Sequence, residues 1–97
     1  MIEHVVLFKV KATTPATSVQ AMVDGLRGLK TRVPGIVELS AGGNFTDRNK
    51  GFSHGLVVRF QDRAALEAYL PHPAHQEVVV NFVRPIIEDV IAVDYEV

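Results

Sequence analysis

The segment Ile2 to Lys11 alternates as a β-strand yet leaves neither face fully polar. Ile2, His4, Val6, Phe8 and Val10 fall on one side, and Glu3, Val5, Leu7, Lys9 and Lys11 on the other. Phe52 to Phe60 repeats the pattern, with Phe52, His54, Leu56, Val58 and Phe60 opposite Ser53, Gly55, Val57 and Arg59. The closing stretch Val90 to Val97 is again apolar on both faces. An antiparallel sheet with one face in water shows polar residues on that face. These strands therefore need cover on both sides. Of 97 residues 47% are apolar and 22% charged, whereas a chain this short hides only roughly 60 to 65% of its surface on folding. The expected second cover is a twin of the same chain, packed sheet to sheet as a homodimer. A monomer enclosing a large ligand cavity is the competing arrangement.

Composition removes several classes of function. Ten Lys and Arg against eleven Asp and Glu leave a net charge of −1, without the basic stripe that nucleic-acid binding requires. Cysteine is absent, which excludes disulfide scaffolds, thiol catalysis and CxxC metal knuckles. The longest uncharged stretch, Ala12 to Val23, is 12 residues of mixed polarity and far short of the ~20 that span a membrane. No membrane association is expected. The opening Met-Ile-Glu-His lacks the basic and apolar regions of a secretory signal, so the expected location is cytoplasmic.

The rest of the chain falls into short elements of one domain, residues 1–97. Thr14 is placed to cap a helix with Pro15 at its first position, and Val19, Met22, Val23, Leu26, Leu29 and Val33 recur at helical spacing. Pro34-Gly35 stops that helix. A second strand runs from Ile36 to about Gly43, where Gly42-Gly43 suggests a bulge, and Phe45 to Gly51 is a polar loop. Asp62 caps a second helix that yields near Pro71, and a third starts at His72-Pro73 and stops near Arg84-Pro85. The order β-α-β-β-α-α-β predicts an α+β, ferredoxin-like protomer: a four-stranded antiparallel sheet with helices on one face.

Four histidines carry most of the chemical potential. In this topology strands one and three are central neighbours, which predicts His4 and His54 on one face at the same level. Tyr69-Leu70-Pro71-His72-Pro73-Ala74-His75 adds a phenol and two imidazoles at a helix junction. Together these residues are expected to converge on one cavity. An imidazole in a partly dry pocket accepts a proton near neutral pH, and a phenol donates to an oxygen gaining negative charge. His72-x-x-His75 has helical i, i+3 spacing, but no four-ligand set accompanies it and no metal is expected. Ser53 and His54 should point to opposite faces, which argues against a nucleophile pair.

His4 near the start of strand one, Gly51-Phe52-Ser53-His54, Tyr69-x-x-His72-Pro73-x-His75 and Val93-Asp94-Tyr95 together resemble the stress responsive A/B barrel domain (Dabb) family of the dimeric α+β barrel superfamily. The resemblance runs nearly end to end and implies protomers that join their sheets into a barrel. Around the histidines it extends to the olivetolic acid cyclases of plants. Carried over, it implies His75 as general base, Tyr69 as its hydrogen-bonding partner, and His4, His54 and His72 as substrate-binding neighbours. Leu26 and Ser40-Ala41 stand where the cyclases place aromatic side chains, which implies a different substrate.

Two functions follow as expectations. The first is a cofactor-free enzyme of cyclase, isomerase or lyase type, acting on a small apolar or aromatic carbonyl or phenolic compound. The second is a non-catalytic, stress-associated dimeric barrel that binds small apolar ligands, its histidines being structural.

Overall fold

The alternation at the start of the chain becomes β1 (Ile2–Val10), a central strand in the computed structural model, which describes residues 1–97. It pairs with β3 (His54–Phe60) on one side and β4 (Ile87–Glu96) on the other, and β2 (Ile36–Gly43) completes an antiparallel sheet of order β2-β3-β1-β4. Between the strands lie α1 (Ala16–Arg32), α2 (Arg63–Tyr69) and α3 (Pro73–Val78). This is the ferredoxin-like α+β arrangement expected from the order of elements. No helix is long and apolar enough to cross a membrane.

Several boundaries differ from the sequence expectation for local reasons. Pro15 itself occupies the N-cap of α1 in extended geometry, so Thr14 lies one residue too early to cap. The third helix does not run regularly to Pro85. After Val78 it widens into a π turn, Val79–Val83, and tightens into a 3₁₀ turn, Arg84–Ile86. Pro85, which lacks an N–H, fits within that last turn. β3 begins at His54 and β4 at Ile87. The expected bulge at Gly42-Gly43 is absent; the register shifts between Ile36 and Glu38 instead.

One face of the sheet holds the core. Ile2, Val6, Phe8, Leu56, Val58 and Phe60 pack against Met22, Val23, Leu26 and Leu29 of α1 and against Val78 and Val83 beyond it. Gly35 makes the turn from α1 into β2. Its φ of +91° suits glycine, and a Cβ there would stand 2.8 Å from that of Ala65. The opposite face carries Leu7, Val57, Ile91, Val93 and Tyr95, each exposed by 40% or more. Only Glu3 is buried among its charged groups, paired with Arg59 across the strands. The chain ends meet: the Val97 N–H donates to the Met1 carbonyl at 2.9 Å, and the Met1 ammonium donates to the Val97 carbonyl at 3.2 Å.

Candidate functional site

Pro71 and Pro73 bracket the junction between α2 and α3, and His72 between them takes an extended conformation. Its Nδ1 accepts the Ala74 N–H at 3.0 Å, capping α3. His72 thus caps the helix, and it is not among the residues that line the cavity described below, where a substrate-binding role was expected of it.

Two turns of chain now place His75 and Tyr69 together. Their ring centroids are 4.2 Å apart, and the phenol also packs on His4 and Phe60. Tyr69 is fully buried, and its hydroxyl has no hydrogen-bond partner. Burial pushes the phenol well above its ordinary pKa, so the group stays a neutral O–H donor. An unpaired buried hydroxyl is uncommon in a native interior and calls for an explanation.

The tautomer of His75 follows from its neighbour. Its Nδ1 lies 2.9 Å from the Leu70 carbonyl, which only accepts, so Nδ1 carries the proton and Nε2 keeps a free lone pair. Burial lowers its pKa below the ordinary 6.5; the Leu70 hydrogen bond opposes this, and the nearby His4 and His72 add to the lowering. Above that value His75 is a neutral base.

His4 is oriented in the same way from the other side. In the register it stands opposite Asp94 of β4, whose carboxylate accepts from its Nδ1. Asp94 was not expected as a site residue, although the signal was present: an acid on the same parity as Val90 and Ala92, facing His4 across the strands. His4 and His75 both line a cavity of about 260 Å³ between sheet and helices, nine of whose twelve lining residues are hydrophobic. Val90 of the edge strand also lines it while half exposed, so the cavity has access to solvent. The Tyr69 ring lies behind the two imidazoles rather than on the wall.

His54 is elsewhere. It pairs with Phe8, whereas His4 pairs with Val58, so the two histidines share a face but are four residues apart along the strands, about 13 Å at ~3.3 Å per residue. They are not at one level. His54 instead lines an open hollow of about 720 Å³ under the β2–β3 loop, and its Nδ1 meets the Ser53 hydroxyl at 2.9 Å. Ser53 makes that contact because it precedes β3, outside the strand alternation that would have turned it away. Burial lowers the pKa of His54. No three histidine or acidic side chains gather to hold a metal ion.

A ferredoxin-like α+β domain with two carboxylate- or carbonyl-oriented imidazoles on an apolar cavity is the class defined by this fold and site. The chain belongs to the stress responsive A/B barrel domain (Dabb) family, whose model matches residues 2–97. It is 32% identical over 96 residues to a stress-response A/B barrel domain-containing protein of Arabidopsis thaliana. That match covers 98% of this chain but only 36% of the longer plant protein. Hydroxynitrile lyase from Passiflora edulis has the same fold, with a TM-score of 0.88 at 20% identity over 99% of this chain and 92% of the lyase. A dimeric ferredoxin-like protein of unknown function from Thermobifida fusca gives 0.87 at 21% identity, over 99% and 90% of the two chains. A protein of unknown function and an enzyme thus share the fold of this chain.

Proposed function

We propose that this domain is an acid–base enzyme acting on small apolar carbonyl compounds or their adducts, with His75 as general base and Tyr69 as hydrogen-bond donor. One observation carries the reading: His75, whose Nε2 lone pair is left free by the Nδ1 bond to the Leu70 carbonyl, lines an apolar cavity beside a buried phenol that lacks an acceptor. His4, held by Asp94, orients the bound oxygen, and no cofactor is invoked. We include in the proposal a homodimer, in which a twin sheet covers Leu7, Val57, Ile91 and Val93. Dimeric proteins of the same fold support that part.

The lyase of like fold suggests the first reaction to try. A hydroxynitrile carries its O–H on the carbon that bears cyanide. Transfer of that proton to His75 Nε2 lets the oxygen become a carbonyl as the bond to cyanide breaks. Cyanide leaves with the electron pair and recovers the proton from the imidazolium as HCN. Tyr69, once its side chain moves forward from behind the imidazoles, donates to the oxygen while it carries negative charge. With an enolisable ketone the same base takes a C–H proton, the step that cyclisation or isomerisation of a carbonyl chain shares.

The test measures benzaldehyde release from mandelonitrile and deuterium exchange into acetophenone, by the wild type and His75→Ala. Loss of a general base should lower the enzymatic rate by about 10² to 10⁴. Equal rates for the two proteins, or no rate above buffer with either substrate, would sink the proposal. The Tyr69 ring lies off the cavity wall, which favours a second reading, a binding-only barrel for small apolar ligands. Under that reading both probes bind and neither reacts.

A further inference from the structure

The cavity wall includes one permanent cation. Arg84, in the 3₁₀ turn that leads into β4, lines it together with His4 and His75. Arg84 is exposed and also lines the cavity, so its long side chain belongs to both the wall and the solvent-facing surface. The ion pairs of the chain are His4–Asp94, Arg32–Glu77, Arg59–Glu3 and Arg63–Glu96. Arg84 takes part in none of them. The two imidazoles on the wall already have partners: the Asp94 carboxylate accepts from His4, and His75 donates to the Leu70 carbonyl. No acidic side chain lines the cavity to offset the arginine.

A guanidinium is a planar fork of donors that matches a carboxylate in a bidentate pair. The remaining wall is largely hydrophobic, and 260 Å³ exceeds the roughly 150 Å³ that holds a benzene ring. One ring with a short chain fits. We propose that Arg84 selects ligands bearing a carboxylate at one end, so that the site takes small aromatic or aliphatic oxo- and hydroxy-acids in preference to neutral carbonyl compounds. This inference rests on the reading of the cavity as the substrate site.

Two probes of matched shape test it, 3-phenylpropanoate and 3-phenylpropanamide, titrated while the His75 ring Cε1–H is followed by NMR. In the wild type the acid should bind about tenfold more tightly than the amide, since a hydrogen bond to a charged group is worth roughly that factor or more. Arg84→Met should bring the acid down to the level of the amide and leave the amide within about twofold of the wild type; Arg84→Lys should retain part of the difference. Melting curves establish that each variant is folded. Equal affinities in the wild type, equal weakening of both probes by Arg84→Met, or no response of His75 at millimolar concentrations would each overturn the proposal. The proton-transfer reading is judged separately, by turnover in His75→Ala. If turnover ignores that change while the acid still outbinds the amide, the catalytic reading falls and carboxylate selection stands.

Discussion

The hydroxyl of Tyr69 is expensive where it sits. An unpaired buried O–H forfeits hydration without compensation, so Tyr69→Phe should stabilise the fold by about 1 kcal/mol, raising Tm by roughly 5 °C, while slowing turnover at least tenfold. A lower Tm would mean that the hydroxyl has a partner in solution and is structural. His75 supplies a second prediction. Its depressed pKa places the acid limb of a kcat/KM profile below 6.5, with activity rising as the imidazole loses its proton. Stability has the same sign. The folded pKa values of His75 and His54 are lowered, so below about 6.5 the unfolded chain takes up protons that the folded chain resists; their contribution is full above that pH and lost as the pH falls through the folded values. Thermal melts from about pH 7.5 to about pH 5 should fall less steeply for His75→Gln than for the wild type. The pairing of Tyr69 with His75 was legible, because six residues with two prolines leave little freedom at a helix junction. The supposed pairing of His4 with His54 was not. Alternation reports the face a residue occupies, whereas its level depends on register, and the loop before β3 set that register beyond reach of a local pattern.

Among the elements, β2 shows how far parity alone can go. Ile36 pairs with Phe60 while Leu39 and Ala41 pair with Val58 and Leu56, so odd and even positions point to the same core. One extra residue between Ile36 and Leu39 is required, and the bulge stands there rather than at the glycine pair. The π turn left no such trace. Val79 and Val83 occupy positions that a regular helix would also turn inward, and only the structure shows the widened turn that brings them to the cavity. Gly35 was legible as a stop and proves to be doubly constrained. Gly35→Ala should destabilise by about 1 to 3 kcal/mol, read as a fall in Tm, because the residue combines positive φ with contact against Ala65. An unchanged Tm would show that the turn and α2 shift easily.

For the whole molecule the decisive quantity is the state of the outer sheet face. The surplus of apolar residues that first set the strands apart lies there, on Leu7, Val57, Ile91 and Val93. Sedimentation at micromolar concentration should give twice the chain mass of 10.7 kDa, and Ile91→Asp combined with Val93→Asp should give the single mass with α-helical content retained. A wild-type monomer would remove the twin sheet. The meeting of Met1 and Val97 has a topological consequence. The fold is a closed circuit, and its starting point is a choice of where to cut. A permutant joined through a short linker at the present ends and opened beside Phe45, which is 95% exposed, keeps His4, Tyr69, His75 and Asp94 on one unbroken run. The contact between His4 and Asp94 spans 90 residues in the present order; in the permutant it would span little more than the linker, a loop far cheaper to close. The β1–β4 pair would then become a hairpin able to form early in folding.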